Sequence, residues 1–287
     1  MPHPGLPPSI LVTGATGNLG RHVVERLLAR DVAVRSLARR PAPPRAGVDP
    51  VVGDLSRPDG LRAALAGVDA VLLVWPLLEP GRAHAVVEEL LAAQVPRTVY
   101  LSSTAVADDR ARQSDPIAQV HSDMEALLHD DGLQPVVLRS DTLASNARGW
   151  AAQVRAGDEV AGPDVAPTAV VDERDVAGAV VTALLGSPRG DTPYLLTGPE
   201  PLTRAEQVAR LGTALGRDLR FRPLAADRAR ARMLADGLPR DLVDALVAAA
   251  LHRPASTRLT ADVERLTGRP ARAFATWAAD HADEFRV

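Results

Sequence analysis

Leu11-Val-Thr-Gly-Ala-Thr-Gly-Asn-Leu-Gly20 is the stretch that decides the fold of this chain. The short apolar run Ile10 to Val12 leads into three glycines, Gly14, Gly17 and Gly20. Val23, Val24, Leu27 and Leu28 follow at helical spacing. The order is strand, glycine turn, helix. The spacing G-x-x-G-x-x-G is one residue off G-x-G-x-x-G, and the physical roles carry over. One glycine allows the tight turn, one lets the backbone approach a pyrophosphate, and one lets the helix pack on its strand. The helix N-terminus offers free N–H groups and a partial positive charge to phosphates. A glycine triplet alone also fits an ordinary turn. Its place after a strand and before a helix is the confirming context for dinucleotide binding. Thr13, Gly14, Thr16, Gly17, Asn18, Leu19 and Gly20 are therefore candidate cofactor contacts.

Composition narrows the class. A chain of 287 residues allows one or two domains. Hydrophobic residues make up 46% and aromatics only 3%, so the core must be built from Ala, Val and Leu. A net charge of −3 favours neither a nucleic acid nor an acidic membrane as partner. There is no cysteine, which excludes disulfides and thiolate chemistry. The first nine residues are polar and proline-rich, unlike a secretory leader. No run approaches the roughly 18 apolar residues of a membrane span. The expectation is a soluble cytoplasmic protein. All 33 basic residues are arginine. No lysine can act here as a base, a Schiff-base former or a cofactor clamp.

Outward from the glycine turn, strands are expected near 9–13, 33–37, 50–52, 70–75, 98–101 and 135–139. Helices are expected near 19–30, 58–65, 81–94 and 116–129. This alternation predicts an α/β Rossmann fold, a doubly wound parallel sheet with helices on both faces. The second strand ends at Arg39 and Arg40 with no acid following, which favours the 2′-phosphate of NADP(H) over NAD. Pro43 and Pro44 then break the chain. Asp54 and Leu55 close the third strand, where an acid can reach the adenine amino group. Trp75 ends the fourth, where the nicotinamide ribose would lie, and Ser102, Ser103 and Thr104 end the fifth. Beyond Arg139 the pattern loosens. Trp150 opens a helix, 168–171 reads as a short strand, and the carboxylates of Asp172-Glu-Arg-Asp175 suit the start of a helix over 176–185. A strand over 194–197 follows, then a capping box, Thr203 to Glu206, on a helix to Leu215. Residues 219–223 are extended, and two or three helices close the chain, the last about 272–285. The expected organisation is a mobile tail over 1–8, a dinucleotide-binding core over 9–139, and a small α/β substrate-binding lobe over 140–287 interleaved with the end of the sheet.

The glycine loop, Arg39-Arg-Pro41, Gly53-Asp-Leu55, Tyr100-Leu-Ser-Ser-Thr104, Asp172-Glu-Arg-Asp175 and Leu196-Thr-Gly-Pro-Glu200 occur in an order that resembles the NmrA-like branch of the atypical short-chain dehydrogenase/reductases. The likeness covers about residues 9–285. It implies a Rossmann domain binding NAD(P)(H), with members that reduce quinones or other carbonyls and members that sense the cofactor's redox state for a protein partner. Ordinary reductases of this superfamily use Ser or Thr followed by Tyr-x-x-x-Lys. The resemblance sets Ser103 or Thr104 at the first position. Counting back from Glu125, which fits a family glutamate, the lysine position falls on His121 and the tyrosine position on Ile117. The pair is absent, and some quinone-reducing members also resemble this pattern, with histidine in place of lysine.

Hydride transfer needs the nicotinamide held against an electrophilic carbon with water excluded. A quinone accepts hydride as a phenolate, whereas a simple ketone gives an alkoxide that needs a proton donor. His121 is the candidate donor near neutral pH, with Ser103, Thr104 and Asp141 beside it. Asp141 stands where the family usually has glycine, and it also fits a turn-stabilising role. Asn146, Trp150 and His84 are candidate substrate contacts. Seven scattered histidines offer no metal-ligand spacing. There is no G-x-S-x-G elbow and no G-K-[ST] phosphate loop. The leading expectation is an NADPH-dependent oxidoreductase acting on a quinone or an activated ketone or enone. A redox sensor with a protein partner, and a non-redox epimerase, dehydratase or cyclase, stay open. The expected partner is a small-molecule substrate, with no nucleic acid and no membrane. The sequence leaves the oligomeric state open, a homodimer included.

Overall fold

The computed structural model describes residues 8–40, 44–130, 132–186 and 192–286. Seven strands form one sheet in the order β3-β2-β1-β4-β5-β6-β8, every pair parallel. They are β1 (Ser9–Thr13), β2 (Ala33–Ala38), β3 (Val48–Val52), β4 (Ala70–Val74), β5 (Thr98–Ser103), β6 (Val136–Ser140) and β8 (Tyr194–Leu196). The order reverses between β1 and β4, and the crevice at their carboxyl ends is where ligands bind in open α/β sheets.

Alternate strand residues feed two separate cores. Ile10, Val12, Ala70, Leu72 and Val99 face α1 (Gly20–Leu28) and α6 (Glu173–Leu185). Leu11, Val71, Leu73 and Tyr100 face α2 (Leu61–Leu65), α3 (Ala83–Ala92) and α4 (Pro116–Asp130). Burial on both faces is why these strands read as continuous apolar runs. Thr13 ties the sheet at its centre. Its hydroxyl donates to the Leu72 carbonyl at 2.9 Å and accepts from the Val74 amide at 2.8 Å.

Beyond β6 a 3-10 segment, Ala144–Trp150, runs into α5 (Ala151–Ala156). A second, two-stranded parallel sheet pairs β7 (Glu159–Pro163) with β9 (Arg220–Leu224). Between them lie α6, β8 and α7 (Arg204–Leu215), whose capping box of Thr203 and Glu206 forms as expected. Among the described residues four helices follow β9: α8 (Ala226–Ala235), α9 (Arg240–His252), α10 (Asp262–Thr267) and α11 (Phe274–Asp280). Helix α9 packs on α4 and α8.

The structure corrects several sequence expectations. The segment 168–171 makes only isolated bridges, Thr168 to Leu202 and Val171 to Leu143, because Gly198 and Leu202 cross it closely. Strand β7 has no apolar alternation to announce it. Four closing helices replace the two or three expected, since a proline and glycine-bearing link divides them. The tail over 1–7 and the break at Pro43 lie outside the described residues. No helix among the described residues is long and apolar enough to cross a membrane.

At Gly20 a Cβ would stand 2.1 Å from the Gly14 carbonyl oxygen and 2.7 Å from the Ala15 Cα. Both neighbours are backbone and cannot swing aside. Gly20→Ala is expected to destabilise the fold by about 1–3 kcal/mol through overpacking. Urea unfolding of wild type and variant checks this, and an unchanged midpoint would contradict the close packing of α1 on the turn.

Candidate active site

The glycine turn forms as the sequence predicts. Gly14 adopts a left-handed φ of +64°, and the Gly17 amide donates to its carbonyl at 3.0 Å. Thr16, Gly17 and Asn18 are exposed, while Leu19 and Gly20 are buried under the turn. Helix α1 has neither a capping side chain nor an acidic residue in its first turn. Its positive end is therefore open to phosphate groups. Thr13 acts through its grip on β4, not through a free hydroxyl. Arg39 and Arg40 are exposed just beyond β2. Asp54 accepts from the Ser56 amide at 2.9 Å. That bond and the nearby Arg39 charge hold its carboxyl below the usual range, so it stays ionised. Leu55 is buried beside it. These residues fit a dinucleotide: an open helix end, a turn with exposed glycines at Gly14 and Gly17, and cations for a ribose phosphate.

A cleft of about 370 Å³ opens beside this turn at the carboxyl ends of β4, β5 and β6. Trp75, Ser102, Ser103, Asp141 and Asn146 line it, with Ile117 and His121 from α4. Trp75 is fixed by its indole N–H, which donates to the Glu79 carbonyl at 3.0 Å. The two α4 residues both face the cleft.

A partner that the sequence reading left unused holds His121. The Tyr100 hydroxyl lies 2.8 Å from its Nδ1. Tyr100 is fully buried, and burial together with the Glu125 charge raises its pKa above the ordinary phenol value. The phenol therefore keeps its proton, and His121 Nδ1 is its hydrogen-bond partner. The hydroxyl donates and Nδ1 accepts, which leaves the imidazole proton on Nε2. Burial, aided by Arg253, pushes His121 down to about 4, against the opposing pull of Glu125 and Asp115. This corrects the expectation of an imidazolium donating near neutral pH. His121 is a neutral N–H donor at pH 7.

One turn further along α4, Glu125 is buried and accepts from the Ser102 hydroxyl. Arg139 of β6 grips both of its oxygens, at 2.9 and 2.6 Å, and also pairs with Asp108 at 2.7 Å. Asp141 is 4% exposed and spoken for: Arg253 at 2.9 Å, the Ser256 hydroxyl at 2.6 Å and the Thr142 amide at 2.6 Å all bond its carboxylate. These bonds make Asp141 an anchor between β6 and the segment after α9, a role that the expectation of proton handling did not include.

Thr104 lines a neighbouring cleft behind Arg253, whose guanidinium lies 3.4 Å from its hydroxyl. His84 is exposed on α3 and lines neither this cleft nor its neighbours. The structure thus does not bring Thr104 or His84 to the reaction cleft. Trp150 lines a second cleft that adjoins the first. Ser103 lines the first cleft and accepts from the Ala105 amide at 3.2 Å, leaving its proton to donate. Arg204 and Arg253, which sequence reasoning missed, come from far along the chain and carried no local motif.

This fold and site define a Rossmann protein that binds a nicotinamide dinucleotide. A model of the NAD(P)H-binding family matches residues 14–186. The chain is 39% identical over 282 residues to the (4-alkanoyl-5-oxo-2,5-dihydrofuran-3-yl)methyl phosphate reductase of Streptomyces griseus, covering 96% of this chain and 99% of that one. It is 32% identical to the NAD(P)H azoreductase of Xenophilus azovorans, with coverage of 96% and 99%. In fold it matches the NADPH-dependent quinone oxidoreductase of Escherichia coli complexed with NADPH, at a TM-score of 0.77 and 23% identity, covering 94% and 99%. The chain belongs to the NAD(P)H-binding family. It is an NAD(P)H-dependent oxidoreductase.

The state of His121 is open to measurement. Its imidazole ¹⁵N signals should report an Nε2–H tautomer at pH 7 and a protonation midpoint near 4. The unfolded chain takes up this proton near 6.5 and the folded chain near 4, so stability is present above 6.5 and lost as pH falls through that window. Wild type should lose more stability across the window than His121→Asn. A midpoint near 6.5 in the folded protein would refute the buried, neutral assignment.

Proposed function

We propose that the protein reduces a conjugated carbonyl compound, an enone or a quinone, with NADPH as the hydride donor. The observation that carries this is the neutral His121, locked by Tyr100 at the cleft wall beside Ser103 in a chain without lysine. NADPH, when bound, supplies a hydride equivalent. His121 and Ser103 supply two neutral donors, Nε2–H and O–H, for an oxygen on which negative charge grows. Fixed donors of this kind stabilise a developing oxyanion without giving up a proton. They suit an acceptor whose charge spreads over an enolate or a phenolate. Solvent then protonates the enolate at carbon, or the phenolate at oxygen. A simple ketone, whose alkoxide demands a proton at once, is a poor match.

The relative from Streptomyces griseus is named for a 5-oxo-2,5-dihydrofuran, a ring in which a C=C bond is conjugated with a lactone carbonyl. An acceptor with that electronic character fits the donors found here. Trp75 and Ile117 narrow the cleft around the reacting centre, and Asn146 adds an amide at its far side. The segment from 140 onward acts as the substrate-binding lobe in this reading. Arg39, with Arg40, holds the 2′-phosphate of NADPH, and Gly14, Gly17 and the start of α1 hold the pyrophosphate.

Steady-state NADPH oxidation across a panel of 2(5H)-furanones, quinones and cyclic ketones tests the reading. Wild type should turn over furanones or quinones and not simple ketones. His121→Ala should lower kcat on a furanone by about 10²-fold, as for a lost oxyanion donor. On a quinone it should cost about tenfold or less, since the hydroquinone anion needs little help. No turnover of any conjugated acceptor, with NADPH bound, would reject the proposal. NADPH should also bind at least about tenfold more tightly than NADH, because a charge-assisted contact contributes about 1.5–3 kcal/mol. Arg39→Ala should erase most of that margin, and equal dissociation constants in wild type would refute the assignment.

A further inference from the structure

The second cleft has a volume of about 420 Å³. It shares Asn146, Val165, Arg204, Leu246 and Ala250 with the reaction cleft, so the two adjoin. Its own walls are largely apolar: Trp150, Phe221, Leu224, Met233 and Leu238. A molecule reacting beside His121 extends into this space if it is longer than one ring.

Charge in the walls is unevenly compensated. In the reaction cleft Arg253 is paired with Asp141 at 2.9 Å. Three other inward-facing arginines are paired with carboxylates: Arg139 with Glu125, Arg148 with Glu173, and Arg272 with Asp175. Arg204 breaks the pattern. Among the described residues it has no carboxylate within ion-pair distance. Its guanidinium lies over the Trp150 ring at 5.4 Å from the centroid and bonds only the Gln207 amide oxygen, at 3.3 Å. Arg253 repels it, and Asp164 attracts it without reaching ion-pair distance. Burial pushes the guanidinium down to about 10, the direction expected when a cation is desolvated without a counter-ion. On the other wall Arg232 of α8 likewise lacks an ion pair among the described residues, with Asp236 one turn away as the acid on that lining.

We propose that Arg204 is the anion-binding residue of the substrate site, and that the substrate carries an anionic group, a phosphate monoester or a carboxylate, together with an alkyl portion that lies along the second cleft. A planar guanidinium presents paired N–H donors that match either oxyanion. The place at the junction of the two clefts sets the anion between the reacting centre and the apolar walls. Stacking on Trp150 holds the side chain ready and limits its freedom before binding. Arg232 adds positive potential to the same cavity. The inference rests on the reductase reading only in assigning the reacting centre to the first cleft.

Calorimetric titration of the NADP⁺-loaded protein with hexyl phosphate, heptanoate and hexanol tests it without requiring turnover. The loaded cofactor occupies the nucleotide phosphate sites. At least one anion should bind about tenfold or more tightly than hexanol. The tighter of the two names the head group. Arg204→Gln should abolish that margin and leave hexanol binding and NADP⁺ affinity unchanged. Arg204→Lys should restore part of it, and Arg232→Gln should lower it by a smaller factor. These two variants keep the test decisive if Arg204→Gln folds poorly. Equal binding of hexanol and both anions, or an unchanged margin in Arg204→Gln, would overturn the proposal. If anions bind through Arg204 and no conjugated acceptor is reduced, the reductase reading falls and the anion site stands.

Discussion

A single buried carboxylate sets the geometry of the cleft. Glu125 on α4 accepts from Ser102 on β5 and is gripped by both nitrogens of a fork from Arg139 on β6. A carboxylate in that position is tolerated only because its lone pairs are filled, and losing one partner of such a pair costs about 3–5 kcal/mol. The pairing fixes both the rotation and the height of α4 against the sheet. Two residues back along β5 is Tyr100, and one turn back along α4 is His121. Because α4 starts at the carboxyl edge of the sheet and runs back between the parallel strands β5 and β6, stepping back along β5 leads away from the cleft while stepping back along α4 leads toward it. Ser102–Glu125 and Tyr100–His121 therefore cross, and the long Tyr100 side chain reaches the imidazole that faces the cleft.

Arginine forks do the same work in the second half of the chain. The run Asp172 to Asp175 begins α6, and its acids reach beyond the helix they start. Glu173 is fully buried, held by Arg148 at 2.8 Å and by the Trp277 indole at 3.1 Å. Arg174 joins Asp172 to Asp280, and Arg272 bonds Asp175. Asp141 does likewise for the segment after α9 through Arg253 and Ser256. The outer wall of the reaction cleft is therefore tied to strand ends and a helix start by ionic hydrogen bonds. These are short-reach, planar contacts that lysine, absent from this chain, would not reproduce.

The Rossmann half was legible because its signals are local. Strands buried on both faces leave unbroken apolar runs, and the glycines of the turn are required by backbone contacts within ten residues. The positions of Ser102 and Ser103 at the cleft followed from the strand end, and those of Ile117 and His121 from the resemblance, counted back from Glu125. What the sequence did not disclose depends on long-range pairing. Strand β7 reads Glu-Val-Ala-Gly-Pro and is stabilised by β9, some sixty residues away. The tie between Asp141 and Arg253 and the open charge of Arg204 likewise cross from one part of the chain to another. Tyr100 was the exception that could have been found. It shares a face of β5 with Ser102, and that face packs on α4 where His121 and Glu125 lie one turn apart.

The electrostatics of the site turn on the absence of an ammonium group. A lysine beside a tyrosine would lower the phenol's pKa and make it a proton donor at neutral pH. Here the phenol is buried near a carboxylate, which raises its pKa, and the imidazole beside it is desolvated, which lowers its own. The two shifts move in opposite directions and reinforce one arrangement: proton on the phenol, none on Nδ1, one on Nε2. Neither group is poised to transfer a proton at pH 7, and both are held as oriented dipoles. Such a wall gains from an acceptor that disperses its own charge, because it can stabilise an anion but cannot discharge one. The chemistry that the cleft can support is therefore set by the burial that keeps Tyr100 and His121 neutral.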